Sequence, residues 1–338
     1  MTKEDQLIER VHRRFPAAPV NGTGTGRQRG SRLRIGIGDD AAVLRPGDGM
    51  EWVVTTDAFL EKVHFLRTLH SAKSVGYKAL ARATSDIAAM GAHPQYFFLT
   101  IGLPPSCTGA WFDDFLEAMA RAAGRLGLTL AGGDTTNYST VVISLTIVGE
   151  VDRGRAILRS GAQPGDMLCV SGTLGEAELG WHLAQRKFHR QKSWARLLKK
   201  HFYPEPRLAL GEWLAAHQYA TSMIDTSDGL STDLGHICKA SEVGAKVWAA
   251  KLPAVRIPPK LPQLDLDPLN LALNGGEDYE LLFTVPKKLA SRLPEKVAGI
   301  SLTVIGEITR EKKVILVGRD GRSTLLQPKG WDPFRKKS

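Results

Sequence analysis

Hydrophobic and polar positions recur along this chain with two periods, and they outline most of its elements. Leu7, Ile8, Val11 and Phe15 fall at helical spacing and predict a short amphipathic helix. GIGDDAAVL (36–44) and EWVVTTDAFL, where Val53 and Val54 run into Thr55, Thr56 and Asp57, read as strands. SAKSVGYKALARATSDIAAMGA (71–92) is alanine-rich and predicts a helix that stops near Gly91. YFFLTIGLP predicts a strand, and WFDDFLEAMARAAGRLG an amphipathic helix that ends at a glycine. LTLAGGDTT reads as a strand breaking at a Gly-Gly-Asp turn, followed by the strand VVISLTIVGEV.

RSGAQPGD (159–166) predicts a turn and a domain boundary. Beyond it, DMLCVSG reads as a strand, and GTLGEAELGWHLAQRK and PEPRLALGEWLAAH as helices. TSMIDTSDGLSTDLGHICKAS predicts a short strand, a tight turn and a helix. KLPAVRIPPKLPQLDLDPL (251–269) reads as an extended connection. ALNGGEDYELLFTVP is a turn entering a strand, and SLTVIGEI and VILVG are late strands. Strands and helices mingle in both halves, which predicts an α+β fold of two domains, 1–150 and 151–338. A length of 338 residues, more than one core usually holds, agrees.

Composition narrows the class. Hydrophobic residues make up 43% and charged residues 24%, as in ordinary globular proteins. No apolar run approaches the roughly 20 residues of a membrane helix, and the N-terminus lacks the apolar core of a signal peptide. Cys107, Cys169 and Cys238 form no CxxC pair, which fits a reducing compartment, so a cytoplasmic protein is expected. The net charge of +10 favours anionic partners. Much of it lies in RQRGSRLR (27–34) and QRKFHRQKSWARLLKKHF (185–202), which read as solvated loop and helix faces. Few aromatic residues interleave with these charges, so nucleic-acid binding is a minor alternative. The glycine-rich loop 21–32 has neither the GxGxxG nor the GxxxxGK[ST] spacing of a phosphate loop.

The candidate chemistry lies in where the acidic residues fall. Asp39-Asp40, Thr55-Thr56-Asp57, Ser85-Asp86, Gly132-Gly133-Asp134, Asp225-Thr226-Ser227-Asp228 and Glu277-Asp278 sit at element ends or beside small residues. Each alone fits a helix cap or Asx-turn. Capping needs one acceptor, however, and adjacent carboxylates repel one another. Mg²⁺ removes that repulsion, takes carboxylate and hydroxyl oxygens, and commonly bridges phosphoryl groups. No Walker lysine, HRD-type base or GxSxG elbow is present, so phosphoryl transfer here would lean on metal ions.

In order, GIGDDAAV, TTDAFLEKVHF, SDIAAMGAHP, AGGDTT, RSGAQPGD, IDTSDGLSTDLGHI and GGEDYELLFTV resemble the thiamine-monophosphate kinase family, within the superfamily of aminoimidazole ribonucleotide synthetase. The resemblance implies transfer of the γ-phosphoryl group of ATP to thiamine phosphate, giving thiamine diphosphate and ADP. It also implies a homodimer in which the N-terminal domains share a β-barrel, each C-terminal α/β domain closing a cleft. It places Mg²⁺ on Asp40, Thr55, Thr56, Asp57, Asp86, Asp134, Asp225 and Asp228, and ATP on Gly133, Asp134, Arg159 and Ser227. His64, Glu277 and Trp331 would meet thiamine phosphate, and Asp39 would be a structural neighbour of Asp40. Two features depart from the family pattern: RATSD stands where relatives often have Asn-Leu-Ser-Asp, and loop 21–32 looks inserted. The alternatives within the superfamily are selenophosphate and aminoimidazole ribonucleotide synthetases. The former would want a reactive cysteine near the N-terminus, and the first cysteine is Cys107.

Overall fold

The computed structural model describes residues 33–35, 42–44, 49–186, 194–258 and 265–334. The expected N-terminal helix, the loop 21–32 and the Asp39-Asp40 pair lie outside them.

The first half builds one six-stranded sheet. Its strands are β1 (Leu33–Ile35), β2 (Ala42–Leu44), β3 (Met50–Leu60), β4 (His93–Leu103), β5 (Thr129–Asn137) and β6 (Val142–Asp152), in the spatial order β1-β2-β3-β6-β4-β5. All neighbours are antiparallel except β4 and β5. Two helices, α1 (Ala72–Ala89) and α2 (Ala110–Leu126), cross between strands. On β3 and β6 alternate residues are buried, among them Val53, Thr55 and Phe59 on β3 and Ile143, Leu145 and Ile147 on β6. This is the period-2 signature of a sheet with one covered face.

Helix α1 is the spine of the molecule. Ser71 caps it, its hydroxyl accepting from the Ser74 amide at 3.1 Å. Its alanines bring it against α2, β3 and β6, and also against the second half of the chain. There Gly211, on α5 below, lies so close that a Cβ would come 2.1 Å from the Ala88 carbonyl oxygen, so only glycine fits.

The second half carries β7 (Met167–Ser171), α3 (Glu176–Gln185), α4 (Ala195–Phe202), α5 (Leu208–His217), β8 (Ser222–Asp225), α6 (Leu230–Ser241), β9 (Gly244–Trp248) and α7 (Pro268–Asn274). It ends with β10 (Leu281–Val285), α8 (Lys287–Ala290), β11 (Lys296–Val297), β12 (Ile300–Thr309), β13 (Val314–Val317) and β14 (Ser323–Leu325). The strands form an eight-stranded mixed sheet, β14-β13-β9-β12-β7-β10-β8, with β11 on β12. The whole is α+β with two sheets, as expected.

Three local expectations are overturned. Gly132-Gly133-Asp134 makes no turn: β5 continues through it, parallel to β4, with a register shift just before Gly132. Glycine is needed at 133 for close approach, since a Cβ there would sit 1.9 Å from the Leu99 carbonyl oxygen. The connection 251–269 does not stay extended to its end, because Asp267 caps α7 by accepting from the Leu269 and Asn270 amides. The basic run 185–202 is no simple solvated face, as α4 turns Leu197, Leu198 and His201 inward.

Candidate active site

The site forms where α1 and β3 of the first half meet two loops of the second. Strand geometry puts Thr55 and Asp57 on one face, two residues apart. Helix geometry puts Arg82 and Asp86 on one face, one turn apart. The two pairs meet side by side. Thr55 Oγ1 donates to Asp86 Oδ2 at 2.7 Å. Arg82 holds Asp57, with Nε 2.7 Å from Oδ2 and Nη2 3.2 Å from Oδ1. The guanidinium also stacks over Phe59, 5.1 Å from the ring centre. Among the described residues its Nη1 has no hydrogen-bond partner, an arrangement that costs about 1–3 kcal/mol in a buried donor. Thr56 points the other way, and its hydroxyl meets Thr146 Oγ1 at 2.8 Å on the outer face.

From the second half come the loop after β8, Asp225 to Gly229, and the loop 275–280. The latter is clamped onto the former: the Glu277 amide donates to Ser227 O at 2.8 Å and the Tyr279 amide to Thr226 O at 2.9 Å. Glu277 (φ +65°) and Tyr279 (φ +50°) are both left-handed, which costs of order 1–3 kcal/mol each. In this loop Asp278 and Glu280 take separate partners, and Glu277 and Tyr279 share the seam. Asp278 accepts from the Gly175 and Ala177 amides and so caps α3. Glu280 is fully buried and takes a two-armed bond from Arg207, with Lys200 Nζ at 2.6 Å and the Ser171 hydroxyl at 2.6 Å. Burial pushes the Glu280 carboxyl up, but Arg207 and Lys200 outweigh it and bring it to about 2.

Glu277 and Tyr279 turn toward the seam. Lys78, wholly buried on α1, places Nζ 2.7 Å from Glu277 Oε2, and His201 Nδ1 lies 3.4 Å from the same oxygen. Burial opposes ionisation of Glu277, yet Lys78, His201 and Arg82 together bring its carboxyl to about 2. Glu277 is thus an anion at any physiological pH. His70 Nε2 meets His201 Nε2 at 3.2 Å, so one histidine from each half touches beneath it. His64 lies above Phe59 with ring centres 5.9 Å apart, and its Nδ1 accepts from the Leu60 amide at 3.0 Å. Desolvation and the field of Arg82 draw its pKa down to about 4, while Glu277 opposes the shift. The Tyr279 phenol is pushed well up by burial, and it feels Arg82, Glu277, Asp57 and Asp225 together.

The expected site residues therefore divide. Thr55, Asp57, Asp86, His64, Glu277 and Asp225 gather around the seam. Ser227 and Asp228 are in the clamped loop, and Trp331 is tied to it by its amide, which donates to Asp228 O at 2.8 Å. Arg159 lies on the loop before β7, its carbonyl accepting from Ser241 Oγ at 3.0 Å. Gly133 and Asp134 are on the exposed edge strand β5, and the Asp134 carboxylate accepts from the Thr135 amide. Gly133 shares a row with Asp57 through Leu99 and Leu145, three strand spacings away, or about 14 Å along the sheet. Asp40 lies outside the described residues. Lys78, His70, His201, Tyr279, Lys200 and Arg207 were missed in the sequence. Lys78 carried the one available signal, a lysine in the middle of an alanine-rich helix.

Among the described residues no three His, Cys, Asp or Glu side chains form a metal-holding group. The donor chemistry still suits Mg²⁺, because every candidate offers oxygen. Mg²⁺ is commonly held by one or two carboxylates, with water and substrate phosphate completing the shell. Asp57 keeps lone pairs beyond those that face Arg82. No helix among the described residues is long and apolar enough to cross a membrane.

Comparison with known proteins places the chain among characterised relatives. Residues 38–151 match the AIR synthase related protein N-terminal domain, and residues 163–319 the corresponding C-terminal domain. The thiamine-monophosphate kinase of Escherichia coli (strain K12) is 38% identical over 319 residues, covering 91% of this chain and 95% of the relative. Among solved structures, AaThiL complexed with AMPPCP and TMP superposes with a TM-score of 0.82 at 29% identity, covering 97% of this chain and 96% of that one. The thiamine-monophosphate kinase from Stenotrophomonas maltophilia K279a gives a TM-score of 0.74 at 36% identity, covering 87% and 92%.

Proposed function

This chain belongs to the AIR synthase related proteins and, within them, to the thiamine-monophosphate kinase family, and on that premise we propose that it transfers the γ-phosphoryl group of ATP to thiamine phosphate. An oxygen of the acceptor phosphate forms the new bond to phosphorus, the bond to the β-phosphate oxygen breaks, and ADP leaves with that electron pair. The second pKa of a phosphate is about 6, so the nucleophile is already ionised at neutral pH and needs no general base. That fits a seam whose histidines are drawn down and whose carboxylate at 277 is locked as an anion.

The remaining obstacle is repulsion between two polyanions. Mg²⁺, when bound, would supply the charge that screens it and would hold donor and acceptor in line. Asp57, Asp86, Thr55, Asp225 and Asp228 are the residues we assign to that task, with Asp40 and Asp134 as further members. Thr56, whose hydroxyl faces Thr146, would join the set through its carbonyl oxygen. Glu277 and His64 would receive the organic part of thiamine phosphate, whose cationic thiazolium ring suits a fixed anion, and Trp331 would pack on it. Gly133, Asp134, Arg159 and Ser227 would meet ATP; the Arg159 guanidinium can fork onto phosphate oxygens.

The assignment of Asp134 and Gly133 rests on a second proposal, that the N-terminal domain (1–150) pairs with another copy to complete a β-barrel while 151–338 closes the cleft. Its support is the open edge β5, exposed along all nine residues, and the outer sheet face, where Trp52, Tyr96 and Phe98 are 42–49% exposed.

The single observation that carries the proposed reaction is the convergence of Asp57 and Glu277, from opposite halves of the chain, on the shared neighbours Arg82 and Tyr279. The test is incubation with ATP, Mg²⁺ and thiamine phosphate, with the products identified by mass. Thiamine diphosphate and ADP are expected; ATP consumed without thiamine diphosphate, or no turnover, would reject the assignment.

A further inference from the structure

The Asp57–Arg82 pair is unusual for a residue assigned to a metal. Asp57 and Thr55 on β3 face Arg82 and Asp86 on α1, so an arginine stands one helical turn from the second carboxylate. Its guanidinium reaches both oxygens of Asp57. It is trapped there, with its side chain 15% exposed and Phe59 stacked beneath it. One positive charge thus lies permanently within the carboxylate pair. The pair is not a closed structural bridge, however, because among the described residues Nη1 has no acceptor and Nε lies close to Asp57 without hydrogen-bond alignment.

We propose that Arg82 is a resident counter-ion that competes with the divalent cation for Asp57, so that the metal site is held weak until the cation arrives already bound to phosphate. The proposal rests on Asp57 being a metal ligand, as proposed above. A guanidinium beside a carboxylate repels an incoming bare dication, and it halves the negative charge that Asp57 and Asp86 offer together. A metal–nucleotide complex carries net negative charge, so the same guanidinium attracts it. Arg82 is accordingly a positioning residue whose effect is read in metal binding.

The test is titration of the full-length protein with Mn²⁺ alone, free ion being followed by electron paramagnetic resonance, and then with Mn²⁺ and the non-hydrolysable nucleotide AMPPCP. Arg82→Met is expected to bind Mn²⁺ alone about tenfold more tightly than the parent, and Mn²⁺–AMPPCP more weakly. Adding Asp57→Asn to Arg82→Met should abolish the gain. If Arg82→Met leaves the protein unfolded, Arg82→Lys keeps one charge without the fork and should bind Mn²⁺ about threefold more tightly. If Asp57→Asn weakens Mn²⁺ binding but the Arg82 variants do not strengthen it, the competition is rejected and the metal assignment stands. If Asp57→Asn has no effect on Mn²⁺ binding, the metal assignment itself fails, and this inference with it.

Discussion

Lys78 Nζ and Glu277 Oε2 lie 2.7 Å apart although their residues are separated by 199 positions, and the contact ties the helix spine of the first half to the strained loop of the second. The lysine is wholly buried and the glutamate side chain 27% exposed. Burial lowers the Lys78 pKa and Glu277 opposes the shift, so the ammonium depends on its partner. A pair built this way holds the two halves in register and holds the carboxylate charged.

Removing one partner should therefore cost more than removing both. Lys78→Met is expected to lose about 3 kcal/mol of stability, within the range for breaking a buried pair. Lys78→Met with Glu277→Gln should recover part of that loss. Urea denaturation of the parent, both single variants and the double variant measures the coupling. Strict additivity would show that the contact holds nothing.

Acid should weaken the protein through its histidines. Burial draws His64 and His70 down to about 4, and His201 well below its ordinary value. In the unfolded chain they titrate near 6.5. Between those values the unfolded state binds more protons, so stability falls as pH falls through that window. The slope is at most about 1.4 kcal/mol per pH unit for each histidine. Asp278 acts in the opposite sense, since burial pushes its carboxyl up to about 7 against the pull of the two amides it caps. His70→Gln isolates one contribution: its denaturation midpoint should fall less between pH 7 and pH 5 than the parent's, and equal falls would reject the account.

Asp225→Asn should lower turnover by roughly a hundredfold or more, because charge stabilisation by a bound metal is worth several kcal/mol. Far-ultraviolet circular dichroism should show the fold retained. Near-normal turnover in a folded variant would take Asp225 out of the metal set.

The tail offers a test through Trp331, which is tied to the clamped loop at Asp228. A Cβ on Gly330 would meet Asp228 O at 1.9 Å and Thr232 Oγ1 at 2.7 Å, so Gly330→Ala should lift the tail and carry Trp331 away. Trp331→Ala removes the ring directly. Trp331→Ala should raise KM for thiamine phosphate several-fold while leaving kcat within about threefold, consistent with lost uniform binding, whereas Gly330→Ala also presses on Asp228 of the proposed metal set and should lower kcat as well. Unchanged KM in Trp331→Ala would assign the ring to surface packing alone.

What was legible in the sequence follows from interactions that act over a few residues. Alanine-rich composition located α1, an amphipathic pattern α2, and runs of apolar residues the long strands, since propensity and a buried face both act on neighbouring positions. The recurrence of acidic residues beside small ones drew attention to Asp57, Asp86, Asp225 and Glu277, which the fold brings to the seam, while the roles proposed for them come from the family resemblance. The Gly132-Gly133-Asp134 segment misled because its glycine serves a neighbouring strand, which local turn chemistry does not reveal. Only the folded chain decided that Thr56 faces away from Thr55, that Arg82 lies against Asp57, and that Lys78, His70 and His201 meet under Glu277. Those contacts join residues dozens to about two hundred positions apart, and their energies depend on distance and burial in space, which no spacing along the chain encodes.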